Sequence, residues 1–539
     1  MLNFLKTIFS LKDENSYKPN KNANTPQCEN TKVSNILQDN KITIQNILNN
    51  FSDLIIREVK ITNNPKYSAI FVYLNNMIET VLIEESIIEK LTNKREEYTY
   101  SPWTKEYSKY LFGVRDEDVH IDMNKVINSI LSGKLILFID GLNEAMVINV
   151  TKPPARSIEE PQVETVIRGP REGFTESMTT NMTLIRKKIK SVNLKMETLK
   201  IGRETKTDIT IAYLSNIANY KIINEIRERL NKVDIDSVIA ANYIKEYIED
   251  DPLSIFPTIF STERADVVAS KILEGRIAII TDGTPLVITV PSLFIEFFMS
   301  NEDYYLKFIP ATINRWIRYL SFIITLTLPG IYLAITTFHQ EVIPRALLIT
   351  FIKARSRVPY SALLESLLML LMYEILREAG VRMPRSVGQA MSVVGALVLG
   401  QAAVEAGIVS TPMVIVVSAT AICSFAIPAT DMYAAVTAPR FILLIIGGTF
   451  GLLGLTCGII ILFMTLISQR SFGIPYMAPL APFISKEFPD LLIRRPIWAK
   501  SKRSWLITGK SSIKRKPESR IKSIKEEQAK AMEERESKE

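Results

Sequence analysis

The alternation of apolar and polar positions changes character near residue 320. Before it, charged residues interrupt the apolar ones every few positions. After it come four runs, 320–338, 386–404, 406–430 and 441–469, with no Asp, Glu, Lys or Arg over 19 to 29 residues. A helix needs about 20 apolar residues to cross the hydrocarbon layer, and there it satisfies its own backbone hydrogen bonds. A soluble core helix of such length would show a charged face. The pattern predicts a multi-span α-helical membrane domain over 293–485 behind a large water-facing region, and excludes most soluble-enzyme readings.

The water-facing region contains a duplication. Ser132-Gly-Lys-Leu-Ile-Leu-Phe-Ile-Asp-Gly141 aligns with Glu274-Gly-Arg-Ile-Ala-Ile-Ile-Thr-Asp-Gly283 at an offset of 142. Upstream, Val72-Tyr-Leu-Asn-Asn76 aligns with Ala212-Tyr-Leu-Ser-Asn216 at an offset of 140. Two motifs recurring in the same order and spacing indicate two copies of one module. Each is expected to open with an apolar strand (69–74; 208–214), continue into helix (217–233 in the second), and end in strand, Asp-Gly turn and strand. The predicted fold is therefore α+β in two similar subdomains, 44–150 and 185–292. A disordered Asn/Lys/Ser-rich leader covers 1–43, and a Pro- and charge-rich linker covers 151–184.

Charge adds a direction. Ten Lys/Arg against one acid, Glu518, lie between Arg494 and Arg520. A basic cluster directly after a spanning segment is the positive-inside signal and attracts anionic lipid, so 486–539 is expected as a basic cytoplasmic tail. It has no recognisable nucleic-acid-binding fold around it, and no nucleic-acid partner is expected. The N-terminal stretch is broken by Lys6 and lacks a small-residue cleavage site, which keeps the soluble region cytoplasmic in this reading.

Chemistry is sparse. Cys28, Cys423 and Cys457 form neither a disulfide framework nor a metal motif. His120 and His339 are the only histidines, and Arg168-Gly-Pro-Arg-Glu-Gly173 and Gly509-Lys-Ser511 both lack the full phosphate-loop pattern. No catalytic residues, metal or cofactor are expected, so the chain is read as a non-enzyme.

Within the membrane half, 358–378 stands apart because it carries Glu365, Glu374 and Arg377 between flanking arginines, and it is expected to lie in the interface or re-enter. The pair 386–404 and 408–427 holds Gln389, Ser392, Gln401, Glu405, Ser410, Thr411 and Ser424, punctuated by Gly388, Gly395, Gly400 and Gly407. Small and polar residues in hydrocarbon serve helix packing or line an ion path. With both ends cytoplasmic the crossings must be even in number. The uncharged runs satisfy this only if 358–378 does not cross, which leaves Arg345, Lys353, Arg355 and Arg357 outside, against the positive-inside rule.

Gly275-Arg-Ile-Ala-Ile-Ile-Thr-Asp-Gly-Thr-Pro285, Arg168-Gly-Pro-Arg-Glu-Gly-Phe-Thr-Glu176, Arg382-Met-Pro-Arg-Ser-Val-Gly-Gln-Ala390 and Val394-Gly-Ala-Leu-Val-Leu-Gly-Gln-Ala-Ala-Val-Glu-Ala-Gly407 together resemble the A subunit of the GerA family of spore germination receptors. The resemblance covers roughly residues 45–485. It implies a multi-pass protein of the spore inner membrane that works with a transporter-like B subunit and a lipoprotein C subunit. It implies nutrient sensing that releases monovalent cations, with the A subunit oligomerising into the conducting part. Under that reading the pore-lining candidates are Gln389, Ser392, Val393, Gly395, Gln401 and Glu405, with Glu405 as a cation-attracting mouth group. The alternatives are a nonconducting scaffold or signalling subunit, and a nutrient permease.

Overall fold

The computed structural model describes residues 32–49, 51–60, 68–78, 83, 115–150, 160–161, 164, 166, 168–382, 400–485, 487–497 and 503–509. They fall into two compact units. Those within 32–248, 261–290 and 503–509 belong to the first, and those within 249–260 and 291–497 to the second.

The first unit is built on two five-stranded sheets. One comprises β1 (Leu54–Lys60), β2 (Ser68–Leu74), β3 (Val119–His120), β4 (Leu135–Ile139) and β5 (Ala145–Ile148), in the order β1-β2-β4-β5-β3. The other comprises β6 (Leu194–Ile201), β7 (Thr207–Leu214), β8 (Phe260–Thr262), β9 (Ile277–Thr281) and β10 (Val287–Val290), in the equivalent order β6-β7-β9-β10-β8. The two recurring sequence motifs occupy matching strands, β2 and β7, then β4 and β9. These strands are buried on both faces, which is why they read as unbroken apolar runs. Gly141 and Gly283, both at φ 84°, follow β4 and β9 in the positive-φ conformation that glycine adopts without penalty.

Each module begins one helix and one strand earlier than the apolar strand expected to open it. Helix α1 (Leu37–Ile47) precedes β1, α2 (Met123–Leu131) precedes β4, and α3 (Met178–Lys188) precedes β6. The expected boundaries at 43/44 and 184/185 thus fall inside α1 and α3. Leu37 and Ile44 pack with Val126 and Ile130 of α2 onto Ile70, Val72, Ile136 and Phe138 of the first sheet. In the second module α3 shares this role with α6 (Ala265–Leu273), after α4 (Tyr220–Lys232) and α5 (Ala241–Ile248).

The repetition reaches individual hydrogen bonds. Asn40 is buried in α1; its amide accepts from Ser34 N (2.9 Å) and donates to Ser34 O (2.7 Å). Asn181 in α3 makes the same pair with Thr175 N and O, at 2.8 and 2.6 Å. A buried amide is costly unless both its ends are bonded, and here both are.

The two modules are joined by the loop before β1. Ser52 N donates to Met196 O (3.3 Å), and Lys195 reaches the Asn49 carbonyl. The Arg186 guanidinium grips Asp53 through two bonds of 2.6 and 2.7 Å, with both side chains 2% exposed. The same guanidinium lies 4.3 Å from the Phe51 ring centre. The short helix Trp505–Thr508 buries Ile507 and Thr508, and Arg503 Nε donates to Leu273 O of the second module (2.7 Å).

Candidate functional site: paired charges among the apolar helices

The second unit holds the long apolar helices. Helix α7 (Phe308–Phe338) contains 320–338 and extends it by three turns of mixed sequence. Its base is fixed by fully buried charge: Asp303 accepts two bonds of 2.9 Å from Arg318 and lies 3.6 Å from Arg315. Arg315, Tyr319 and Trp316 donate in turn to the carbonyls of Asp490, Leu491 and Leu492. The beginning of the expected tail therefore packs on this helix. Next come α8 (Arg345–Arg355), α9 (Ala362–Arg382), α10 (Thr411–Phe425) and α11 (Thr437–Ser468).

The run 441–469, read from sequence as one span, folds back on itself. At Gly451 the backbone turns out of the helix, with φ 66° and ψ −155°. A Cβ placed on Gly447 would stand 2.8 Å from the Gly330 carbonyl oxygen, and one on Gly451 would meet Phe338 and His339 at 3.0 Å. The first half of α11 thus climbs alongside α7. Beyond the bend, Leu455 is again beside Gly330, and a Cβ on Gly458 would meet Leu443 at 2.8 Å. Residues fifteen apart in a straight helix are separated by about 22 Å, so 437–450 and 452–468 are antiparallel arms. Bare glycines let the three backbones touch.

Helix α9 covers most of 358–378, the segment expected to lie in the interface or re-enter. It runs among the others, and each of its acids has a base. Glu365, 2% exposed, accepts from Ser410 N (2.7 Å) and Ser410 Oγ (2.6 Å), and its other oxygen lies 3.7 Å from Arg355 Nε. Ser410 is the N-cap of α10, so the carboxylate sits where the helix dipole favours negative charge. Nine residues on, and so on the opposite side of α9, Glu374 pairs with Arg440 of α11 and with Arg377 at 2.8 Å. Arg377 also donates to Thr437 Oγ1 (3.2 Å) and lies over the Tyr433 ring, while Tyr373 bonds Ser424 at 2.9 Å. Helices α9 and α10 are therefore parallel, Glu365 matching Ser410 at one end and Tyr373 matching Ser424 at the other.

The first unit offers a separate feature, an open cleft of about 820 Å³ lined by Leu48, Phe51, Leu54, Met196, Glu197 and Arg227. At its edge Glu197 accepts from Arg227 (2.7 and 2.9 Å) and Tyr213 (2.6 Å). Burial opposes ionisation of Glu197, but these bonds outweigh it and hold the carboxyl below its usual range. Burial, then the nearby Arg186 charge, lowers the Lys195 ammonium.

A family profile described as "Bacillus/Clostridium GerA spore germination protein" matches residues 42–505. The chain belongs to the GerA family. Spore germination protein KA of Bacillus subtilis (strain 168) is 45% identical over 465 residues, 86% of this chain and 85% of the relative. Spore germination protein GerLA of Bacillus cereus is 36% identical over 392 residues, covering 72% and 80% respectively. Among solved structures, the N-terminal domain of the A subunit of the Bacillus megaterium spore germinant receptor GerK3 matches at 34% identity and a TM-score of 0.38, over 49% of this chain and 98% of that one. GerA-family membership assigns the chain a role in spore germination and, with its apolar helices, fits a membrane-associated protein.

Of the residues singled out for this GerA-family chain, Gln389, Ser392, Val393 and Gly395 lie outside the described residues. Gln401 and Glu405 are exposed, in the short helical stretch 400–405 before the turn that leads to α10. There Gly407 (φ 68°) would place a Cβ 3.1 Å from the Arg357 carbonyl oxygen, so this turn and the end of α8 share one end of the unit. Glu365, Glu374 and Arg440 were visible in the sequence as charges in apolar surroundings, but their partners are 45 and 66 residues away.

Proposed function

We propose that the chain is the A subunit of a nutrient germinant receptor in the spore inner membrane, acting with a B and a C subunit. In this reading it oligomerises into a nutrient-gated cation channel whose opening triggers germination. The observation that carries the conducting role is the pairing of buried Glu365 with Arg355, and of half-buried Glu374 with Arg377 and Arg440, among long apolar helices. Ionisable groups at such depth are costly and mark ion pathways or the switches that gate them. In this reading the pore-lining candidates are Gln389, Ser392, Val393, Gly395, Gln401 and Glu405.

The course of α11 supports an even number of passes. Its two arms and α9 all run between the ends of the unit, which returns the chain to the base of α7. With both ends cytoplasmic, Arg355 falls on the far side, where Glu365 is its partner. The soluble modules (44–150 and 185–292) and the tail (486–539) then face the cytoplasm. A nutrient gates such a pore only through its difference in affinity for the closed and open states.

The test is cation flux from liposomes holding the purified chain, alone and with its B and C partners, before and after an amino-acid mixture is added. Nutrient-triggered K⁺ release altered by Val393→Ala supports the channel. An assembled complex without flux makes this a nonconducting scaffold, and uptake of the nutrient itself makes it a permease.

A further inference from the structure

Between α5 and β8 the chain makes an excursion, Glu249–Phe260, that belongs to the second unit. One side of it is fully engaged. Phe256, Thr258 and Ile259 are buried, and the carbonyls of Pro257 and Thr258 accept from Tyr476 Oη and Ser471 Oγ, each at 2.7 Å. Asp250 accepts from Gly473 N (3.0 Å), and the Phe256 ring packs edge-on to Phe294. These bonds tie the excursion to the residues that directly follow α11.

Its other side is apolar and bare. Leu253, at 92% exposure, stands at the tip of a turn closed by Ser254 N to Asp251 O (3.1 Å), with Leu253 N bonded to Asp251 Oδ1 (3.2 Å). Ile255 is 50% exposed. The residue between them, Ser254, accepts through Oγ from Gln469 Nε2 (2.5 Å), and Gln469 is the C-cap of α11. The tip therefore abuts the last turn of α11, where Met464 is 64% and Ile467 50% exposed. A single exposed leucine needs no explanation. Here two exposed aliphatics, held rigidly in place, continue the apolar flank of a helix long enough to meet lipid.

We propose that this excursion is a membrane-interface foot, with Leu253 and Ile255 dipping into the acyl–headgroup boundary beside the end of α11. The occupant of this surface is the bilayer itself, because the patch is continuous with the outward face of 452–468 and Asp250 and Asp251 each accept from a backbone N–H group. Such interfacial anchoring grows with the apolar area buried. The foot lies in a segment covalently flanked by α5 and β8, so a lipid contact there would fix a loop of the second module at the membrane surface. This inference rests on the membrane reading of α11, and its test separates the two.

A diazirine-bearing amino acid is placed at position 253, 461 or 236 of the full chain in phosphatidylglycerol–phosphatidylcholine vesicles, and lipid adducts are measured by mass spectrometry after illumination. Ile461 (61% exposed on α11) reports the helix, and Asp236, in the soluble modules with its side chain 79% exposed, reports water. The foot predicts adducts at 253 about tenfold above 236, as expected for a leucine transferred from water. Adducts at 461 with 253 no higher than 236 overturn the foot alone. Their absence at 461 as well overturns the membrane reading of α11 and the foot with it.

Discussion

Arg186 and Asp53 are joined by two hydrogen bonds of 2.6 and 2.7 Å across 133 residues of sequence, and neither side chain meets water. Removing one partner of such a pair leaves the other charged and buried, at a cost of about 3–5 kcal/mol. Asp53→Asn and Arg186→Leu are each expected to loosen the docking of the two modules, read as faster limited proteolysis of the full chain. The double variant Asp53→Leu/Arg186→Leu should lose less than the two singles added, because no orphan charge remains.

The paired asparagines allow an internal comparison. Asn40 and Asn181 hold the same two bonds in the two modules, so Asn40→Ala and Asn181→Ala should cost similar amounts, about 1–3 kcal/mol each. Unfolding of the two single variants, followed by denaturant titration, checks this; a cost confined to one of them would break the equivalence.

Glu164 gives a pH dependence. Burial raises its carboxyl from 4.5 to about 7, although Thr262 Oγ1 donates to it at 2.5 Å and Arg264 lies close by. Between pH 4.5 and about 7 the folded chain keeps a proton that the unfolded chain has lost. Stability therefore falls as pH rises through this window, by at most about 3 kcal/mol above its upper end. Glu164→Gln should flatten that slope and stabilise the chain at pH 8 while leaving it little changed at pH 4. A wild-type profile with no fall over this window would refute the assignment.

The bend at Gly451 is a sharp test of the two-armed α11. Alanine there would adopt φ 66° with its Cβ 3.0 Å from both Phe338 and His339, a strain of about 1–3 kcal/mol. Gly451→Ala should lower the thermal unfolding temperature in detergent, and Gly473→Ala, also at positive φ but with open space around it, should lower it less.

The Glu365 cluster ties the charges to function. Glu365→Gln retains an acceptor for Ser410 but takes the counter-charge from Arg355. Spores carrying it should hold normal amounts of the chain yet respond to nutrient with a rate reduced several-fold, about 1 kcal/mol in gating equilibrium. Unchanged germination at normal abundance would remove this cluster from the gate.

The sequence alone determined the duplicated α+β modules, because burial of β2, β4, β7 and β9 on both faces writes itself as repeated apolar strings. It also marked out the apolar half, because four runs without a single Asp, Glu, Lys or Arg stand out along the chain. Residues 1–31, where a leader was expected, and Gln389 to Gly395 lie outside the described residues. Only the tertiary structure decided the rest. An apolar run is equally compatible with one long helix and with two arms, and the contact of Gly458 with Leu443 is what distinguishes them. The charges on α9 set it apart from the uncharged runs in the sequence, which does not say what they pair with. Their cost is offset by Ser410, Arg355 and Arg440, which approach only after folding, and pairing across that distance has no local sequence signal.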